Sequence, residues 1–336
     1  MLHYTLYQKQ LNVILMPTTQ YTVNTRQLST IKPIQNELSF EPQKNYLFDL
    51  SFLGCLDVIG ARASEFLQGQ LSCDLRDVSP SQMRQGAMCN LKGRVLALLD
   101  VVDWNGIHLI VPQDLLTQTQ SSLAKTAAFS QVQISPSTTY QVFGFYLTNR
   151  EDMVPFDAPL SDEIYSVLQD ELFCSYHLGG GYYIFLVNAN QASELSSAFI
   201  KKDQWKGALA WHACQLRQNR LDIYPESRGL FLPHRLGLQL SGYLSFNKGC
   251  YKGQEIVART HYRAKLKHEM RIFTIQTNET LQSGQRLLNQ NDNTELGELI
   301  DFCPIDENTY VIAASVIFDC PSSFQIEGIQ LIHNTV

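Results

Sequence analysis

The sequence predicts an α+β protein built from antiparallel sheets with helices packed on them. Two successive blocks, at about 83–127 and 173–200, each run through strands into a segment of helical period. After His268, roughly the last 65 residues alternate in short runs broken by turns and show no helical period, the pattern of a small antiparallel barrel. The composition, 44% hydrophobic and 17% charged over 336 residues, excludes a disordered chain, because that much apolar surface offsets the entropy of ordering the backbone.

Residues 1–45 are polar and broken by Pro17, Pro33 and Pro42, so they read as an N-terminal extension of short strands and connectors rather than packed core. Residues 53–59 form a strand ended by Gly60, and 61–67 a short helix closed by Gly69. Strands at 83–89 and 94–102 are joined by the tight Asn90-Leu91-Lys92-Gly93 connection, and Asn105-Gly106 turns the chain into 107–111. From Pro112 and Asp114 a helix carries Leu115, Leu116, Thr119, Leu123 and Ala127 on one face, enough to cover that meander. Residues 139–148 return as a strand. Strands at 173–178 and 182–187 follow, with a helix from about Gln191. The triplet Gly179-Gly180-Gly181 precedes a strand, which is the wrong context for a phosphate cradle.

A helix over 203–219 places Trp205, Ala208, Leu209, His212 and Leu216 on one stripe, with Trp211 roughly 120° off it, toward a flank, a cavity or a second packing layer. Strands at 270–277, 296–302, 309–318 and 324–332 complete the chain. The expected division is 1–45, then two α+β lobes at about 46–150 and 151–268, then a domain at 269–336.

No apolar run approaches the roughly 20 residues of a membrane helix. The run 11–16 is too short for a signal-peptide core, and the basic residues before Glu37 are too few for a transit peptide, so a cytoplasmic location is expected. The eight cysteines lack C-x-x-C or disulfide-dense spacing, which suits a reducing compartment. No metal site is expected: His212 and Cys214, two residues apart, point to different faces of their helix.

The most informative stretch is Lys248-Gly249-Cys250-Tyr251-Lys252-Gly253-Gln254-Glu255. Two glycines bracket a cysteine between lysines, which would lower the thiol pKa if they lie beside it. The bland reading is a glycine-rich loop around a small buried cysteine. A Cys-His hydrolase would need His234 or His261 as base. From Lys248 to Arg271, seven basic residues face two acidic ones, so this segment carries +5 of a chain whose net charge is −6 and the remainder carries −11. RNA, a polyglutamylated cofactor or an acidic protein would satisfy it, as would a plain solvated basic strand. Tyr251 and Tyr262 are its only aromatic pair for stacking on bases.

The stretch Lys248 to Glu255 with Ile256-Val257-Ala258-Arg259 resembles the K-G-C-Y-x-G-Q-E signature of the YgfZ group of folate-binding proteins, relatives of the glycine-cleavage T-protein. Upstream, Gly60, Phe66-Leu67-Gln68-Gly69-Gln70 and Asp74 are similar to the family's first helix, Cys89 with Lys92-Gly93-Arg94 to its hairpin, and Phe231 and Pro233 also fit. The resemblance implies a T-protein-like three-lobed ring with a small C-terminal β-barrel. It also implies a central channel for tetrahydrofolate or a derivative. The role it implies is to support iron-sulfur cluster assembly or repair and iron-sulfur-dependent tRNA modification.

It makes Cys250 the functional thiol and Trp211 a folate contact. Lys248, Tyr251 and Arg259 are further candidates, Arg259 toward a glutamate tail. Leu53 stands where the family has a second tryptophan. The implied partners are folate, iron-sulfur enzymes or assembly factors, and indirectly tRNA. The Gly-x-Pro helix end of the family reads Asn219 and Leu221 here, and asparagine tolerates a left-handed cap.

T-protein aminomethyltransferases carry an acidic residue where this chain has Leu96 and Ala97, so aminomethyl transfer lacks its usual carboxylate. Two alternatives remain beside the accessory role: a folate-dependent aminomethyl or one-carbon transferase, and a module that binds tRNA directly. An acidic side chain from Asp100 or Asp103 facing the channel would favour the transferase. A continuous exposed basic face would favour the RNA module.

Overall fold

The computed structural model describes residues 18–331 and 333–335, so the expectation drawn from 11–16 lies outside the described residues. A hairpin of β1 (Thr19–Val23) and β2 (Arg26–Thr30) leads through α1 (Ile34–Glu37) to β3 (Tyr46–Asp49). The first large sheet has the order β5-β6-β7-β4-β8, from β4 (Leu53–Ile59), β5 (Arg84–Cys89), β6 (Val95–Asp103), β7 (Ile107–Pro112) and β8 (Gln133–Ser137). Helix α2 (Ala63–Gln68) follows β4. Helix α3 (Gln113–Ala127) buries Leu115, Leu116, Thr119, Leu123 and Ala127, the face its spacing predicts.

The second sheet, β10-β11-β12-β9-β3-β13, contains β9 (Tyr140–Tyr146), β10 (Val167–Gln169), β11 (Phe173–Gly179), β12 (Tyr182–Asn188) and β13 (Trp205–Lys206). It recruits β3 and β9 from before residue 150, so the sheets interleave along the chain. Helix α4 (Ala189–Lys201) sets Leu195 and Phe199 against Phe145 and Phe185 on one face. The third sheet, β18-β15-β16-β17-β14-β19, is wholly antiparallel: β14 (His268–Gln276), β15 (Arg286–Leu288), β16 (Glu295–Pro304), β17 (Thr309–Ile317), β18 (Gln325–Ile326) and β19 (His333–Thr335). Between β13 and β14 lie α5 (Ala208–Arg217) and α6 (Gln254–Arg263).

Helix α5 joins the layers. Ala210, Trp211 and Cys214 pack with the second sheet, whereas Leu209, Ala213 and Leu216 belong to the core shared with the first and third sheets. Every residue from Ala208 to Leu216 is therefore buried, and no polar face exists to report the helix's orientation.

The helix expected over 203–219 is corrected accordingly. Trp205 and Lys206 pair in parallel with Leu47 and Phe48, and the Gly207 N–H donates to Glu37 Oε1 at 2.5 Å, so strand addition holds the chain extended until Ala208. Two further corrections concern the N-terminal hairpin and the basic segment. The N-terminal hairpin is not outside the core, since Val23 and Leu28 are fully buried. The basic segment is not a strand at 254–263 but the helix α6. Among the described residues, no helix is long and apolar enough to cross a membrane.

Candidate functional site

The signature loop is held by the motifs that precede it in the chain. The Lys252 N–H donates to Gly69 O at 3.1 Å, and Gly253, with φ +85°, backs onto the Asn90–Gly93 turn. Lys248 donates to the carbonyl oxygens of Gln68 (2.9 Å), Leu71 (2.7 Å) and Cys73 (2.5 Å). Its ammonium thus satisfies the carbonyls at the end of α2 and in the turn beyond. Burial draws the Lys248 pKa down to about 8, while the three carbonyls replace its water shell. Asp74, from the same motif, accepts from Gln68 Nε2 at 3.0 Å and from the Arg76 side chain.

This arrangement corrects two expectations. The ammonium of Lys248 is committed to α2 and is not a partner for the thiol of Cys250. Nor does Lys248 line the central cavity described below. Cys250 itself is exposed, against the reading of a buried structural cysteine, and the seven other cysteines are buried and free. Tyr251 is buried beneath Lys248, its ring centroid 5.1 Å from the ammonium. Arg259 lies on the outer face of α6 and pairs with Glu255 at 2.8 Å. His261 stacks on Phe246, and among the described residues no hydrogen bond joins Cys250 to His234 or His261.

A cavity lies where the three sheets meet around α5. Its smaller chamber, about 90 Å³, is walled by Leu53, Ile110 and Trp211 on the apolar side and by Gln85, Asp100 and Gln215 on the polar side. It shares Gln85, Leu98, Leu178, Arg220, Leu221 and Tyr243 with a second, larger chamber of about 620 Å³. The second volume falls within the roughly 300–1,000 Å³ typical of small-molecule sites, whereas Leu53, Asp100, Trp211 and Gln215 wall only the smaller chamber beside it.

Trp211 and Leu53 thus reach one cavity, from α5 and the start of β4. Trp211 is also packed tightly: Gly144 leaves room for its ring, since a Cβ there would sit 2.6 Å from Cζ3, and the ring meets Phe48 and Tyr182 edge to face. Both readings of its off-stripe direction hold together, as it is packed on one side and lines a cavity on the other.

Asp100 enters the chamber because β6 alternates and places Leu98 and Asp100 on one face. Gln85 Nε2 donates to it at 2.9 Å and the Tyr176 hydroxyl at 2.8 Å. Burial raises its pKa, with these two hydrogen bonds and Arg220 pulling the other way. Asp222, also in the wall, is occupied by Arg26 at 2.5 Å. The Gln215 Nε2 is buried with no partner, while its Oε1 accepts from Arg220 at 3.1 Å. Asp103 is not in the wall of either chamber.

Gln85, Gln215, Arg220 and Tyr243 carry no spacing signal in the sequence, because each is a single polar residue in an apolar strand, in the all-buried helix α5 or in a loop. Asp100 was visible as a charge interrupting an apolar strand.

No family model matches the chain. It is 24% identical over 281 residues to the "tRNA-modifying protein YgfZ" of Colwellia psychrerythraea, covering 82% of this chain and 86% of that protein. It is 26% identical over 241 residues to the protein of the same description from Klebsiella pneumoniae, covering 70% and 74%. Among solved structures, the glycine cleavage system aminomethyltransferase T of Bartonella henselae superposes with a TM-score of 0.74 at 15% identity, over 96% of this chain and 93% of that one. The likeness to the YgfZ group read in the signature therefore extends over most of the chain, and the fold is that of the T-protein.

Proposed function

We propose that this chain is a folate-binding accessory protein of the YgfZ type, acting in the cytoplasm to support iron-sulfur cluster assembly or repair and the tRNA modification that depends on it. The observation that carries the reading is the pairing of Trp211 with an unpartnered buried amide, Gln215 Nε2, and a buried carboxyl, Asp100, in one cavity. A reduced pterin has a flat pyrimidine ring that carries donors and acceptors around its edge, fused to a puckered saturated ring. The residues present fit it: an aromatic plane and aliphatic walls for the faces, and a free amide donor with a carboxyl for the edge. Leu53 supplies apolar contact without a second stacking surface. Trp211 and Leu53 would hold the ring, Gln85 and Tyr176 would keep the Asp100 carboxyl oriented, and Arg220 would fix the Gln215 amide. Folate, when bound, supplies a carrier for a one-carbon unit. The relatives named tRNA-modifying proteins support the assignment of the client process.

Fluorescence titration with tetrahydrofolate tests this. We expect saturable quenching that is lost in Trp211→Phe and weakened in Gln215→Leu. Quenching unchanged in both variants, or absent from the native protein, would remove the cofactor from the reading.

A transferase is the second reading, favoured by Asp100, which places a carboxyl in the cavity four residues beyond the usual position. Under that reading Asp100→Asn abolishes release of a one-carbon unit from an aminomethyl donor while tetrahydrofolate still binds. Absence of any such release by the native protein, with folate bound, leaves the accessory role.

A further inference from the structure

We propose that Cys55, Asp57 and His108 form a binding site for one divalent cation of the zinc class, with three protein ligands and a fourth position for water. The site does not rest on the folate reading, since none of the three residues lines the central cavity.

Strand geometry assembles it. Cys55 and Asp57 are two apart on β4, which puts both side chains on one face. The antiparallel register sets His108 of β7 directly opposite Asp57. The three donor atoms consequently converge: His108 Nδ1 lies 2.8 Å from Asp57 Oδ1 and 3.7 Å from Cys55 Sγ, and the thiol is 4.0 Å from the same carboxylate oxygen. Rigid strands hold ligands more closely than loops do.

The tautomer of His108 decides what that convergence means. Its Nε2 lies 2.9 Å from Trp104 O. A carbonyl only accepts, so Nε2 carries the proton, and in the neutral ring Nδ1 presents a lone pair. That lone pair faces the Asp57 carboxylate oxygen at 2.8 Å, a contact that is repulsive unless a metal ion or a second ring proton sits between them, and the Cys55 thiol beside both can give up its proton to the same metal. A backbone carbonyl on the far nitrogen is also the usual outer support of a metal-binding imidazole. Tyr140 meets the His108 ring edge to face at 5.4 Å and limits its rotation.

The mixture of thiol, imidazole and carboxylate suits zinc rather than magnesium or calcium, which take oxygen donors. Cys55 and His108 are buried, while the Asp57 side chain is 27% exposed and offers a way in. Binding would transfer the Cys55 thiol proton to solvent as the metal–sulfur bond forms. The alternative is a doubly protonated His108 paired with Asp57 and no cation.

Cobalt(II) serves as the optical probe. The full-length protein, treated with a chelator and then titrated with Co²⁺, should develop a near-ultraviolet thiolate-to-cobalt charge-transfer band. The band should saturate at one equivalent and be bleached by one equivalent of Zn²⁺, and Zn²⁺ should raise the thermal midpoint. Cys55→Ser should abolish the band and Cys250→Ser should leave it. Asp57→Asn, at the exposed side of the cluster, should weaken Zn²⁺ binding about tenfold or more, in the range seen for altered metal surroundings. No charge-transfer band, a band that survives Cys55→Ser, or unchanged affinity in folded Asp57→Asn would each overturn the proposal.

Discussion

Gly253 and Gly93 meet where the signature loop crosses the first hairpin. A Cβ on Gly253 would lie 3.1 Å from the Gly93 Cα and inside contact distance of the Asn90 carbonyl oxygen, and the two glycines have φ of +85° and +69°. Two motifs far apart in sequence thus form one unit, and the second glycine of the signature is there because another backbone occupies the space of its side chain.

Gly253→Ala should therefore lower stability by about 2 kcal/mol or more, combining left-handed strain with a backbone clash that no side-chain movement relieves. Urea denaturation measures it. Gly249, with nothing within 4 Å of its Cβ position, is the control, and Gly249→Ala should stay within about 0.5 kcal/mol of the native protein. Equal midpoints for the two variants would contradict the packing argument.

Lys248→Met keeps the aliphatic stem and removes the ammonium from three carbonyls. Those buried acceptors lose their donor, so a loss of about 2–4 kcal/mol is expected. Arginine should not rescue it, because a planar fork does not reproduce three donations from one nitrogen. Folate affinity, measured under conditions where the variant remains folded, should be unchanged, since Lys248 is outside the cavity. A variant of native stability that fails to bind folate would reverse this assignment and return Lys248 to the site.

Asp74 gives a pH dependence. Its hydrogen bonds with the Arg76 side chain, helped by the Arg76 N–H and Gln68, hold its pKa below the ordinary 3.8. The unfolded chain takes up the proton first as pH falls. The stabilisation is thus complete above 3.8 and lost as pH drops through the folded-state value. Asp74→Asn should make the protein less stable at neutral pH and flatten the decline of the urea midpoint below pH 3.8. A decline as steep as in the native protein would assign the acid limb to other carboxylates.

The elements with a clean period were legible from sequence. Strand β4 has the expected bounds because Gly60 ends its apolar run, and α3 buries the five predicted positions because it has one buried and one exposed face. The start of α5 was not legible, since a helix buried all round shows no contrast between faces and Trp205 happened to continue its apolar stripe. Helix α6 hid for the opposite reason: Val257 is its only buried side chain. The signature singled out Cys250, which the structure places in an exposed loop that lines neither chamber, and the helix wheel gave the direction of Trp211, which does line one. It could not show that Lys248 turns away, because that depends on carbonyls in a turn nearly two hundred residues earlier. The Cys55–Asp57–His108 cluster needed the register between β4 and β7, which local sequence does not state.

Cys250 is the one exposed cysteine, and the other seven are buried. Burial also pushes the thiols of Cys73, Cys89 and Cys174 up to about 12, which leaves them almost no thiolate near neutral pH. A small alkylating reagent should add a single adduct to the native protein, at Cys250, and reach the rest only as the fold opens. Because no core is disturbed, Cys250→Ala should change stability by no more than about 0.5 kcal/mol and should bind tetrahydrofolate as the native protein does. If the thiol carries the proposed role, the same variant fails to restore iron-sulfur-dependent tRNA modification in a strain lacking the protein. These readouts belong together: folded, folate-binding protein without complementation supports a functional thiol. Full complementation by a stably expressed Cys250→Ala would end that hypothesis and leave the loop a purely structural partner of the Asn90–Gly93 turn.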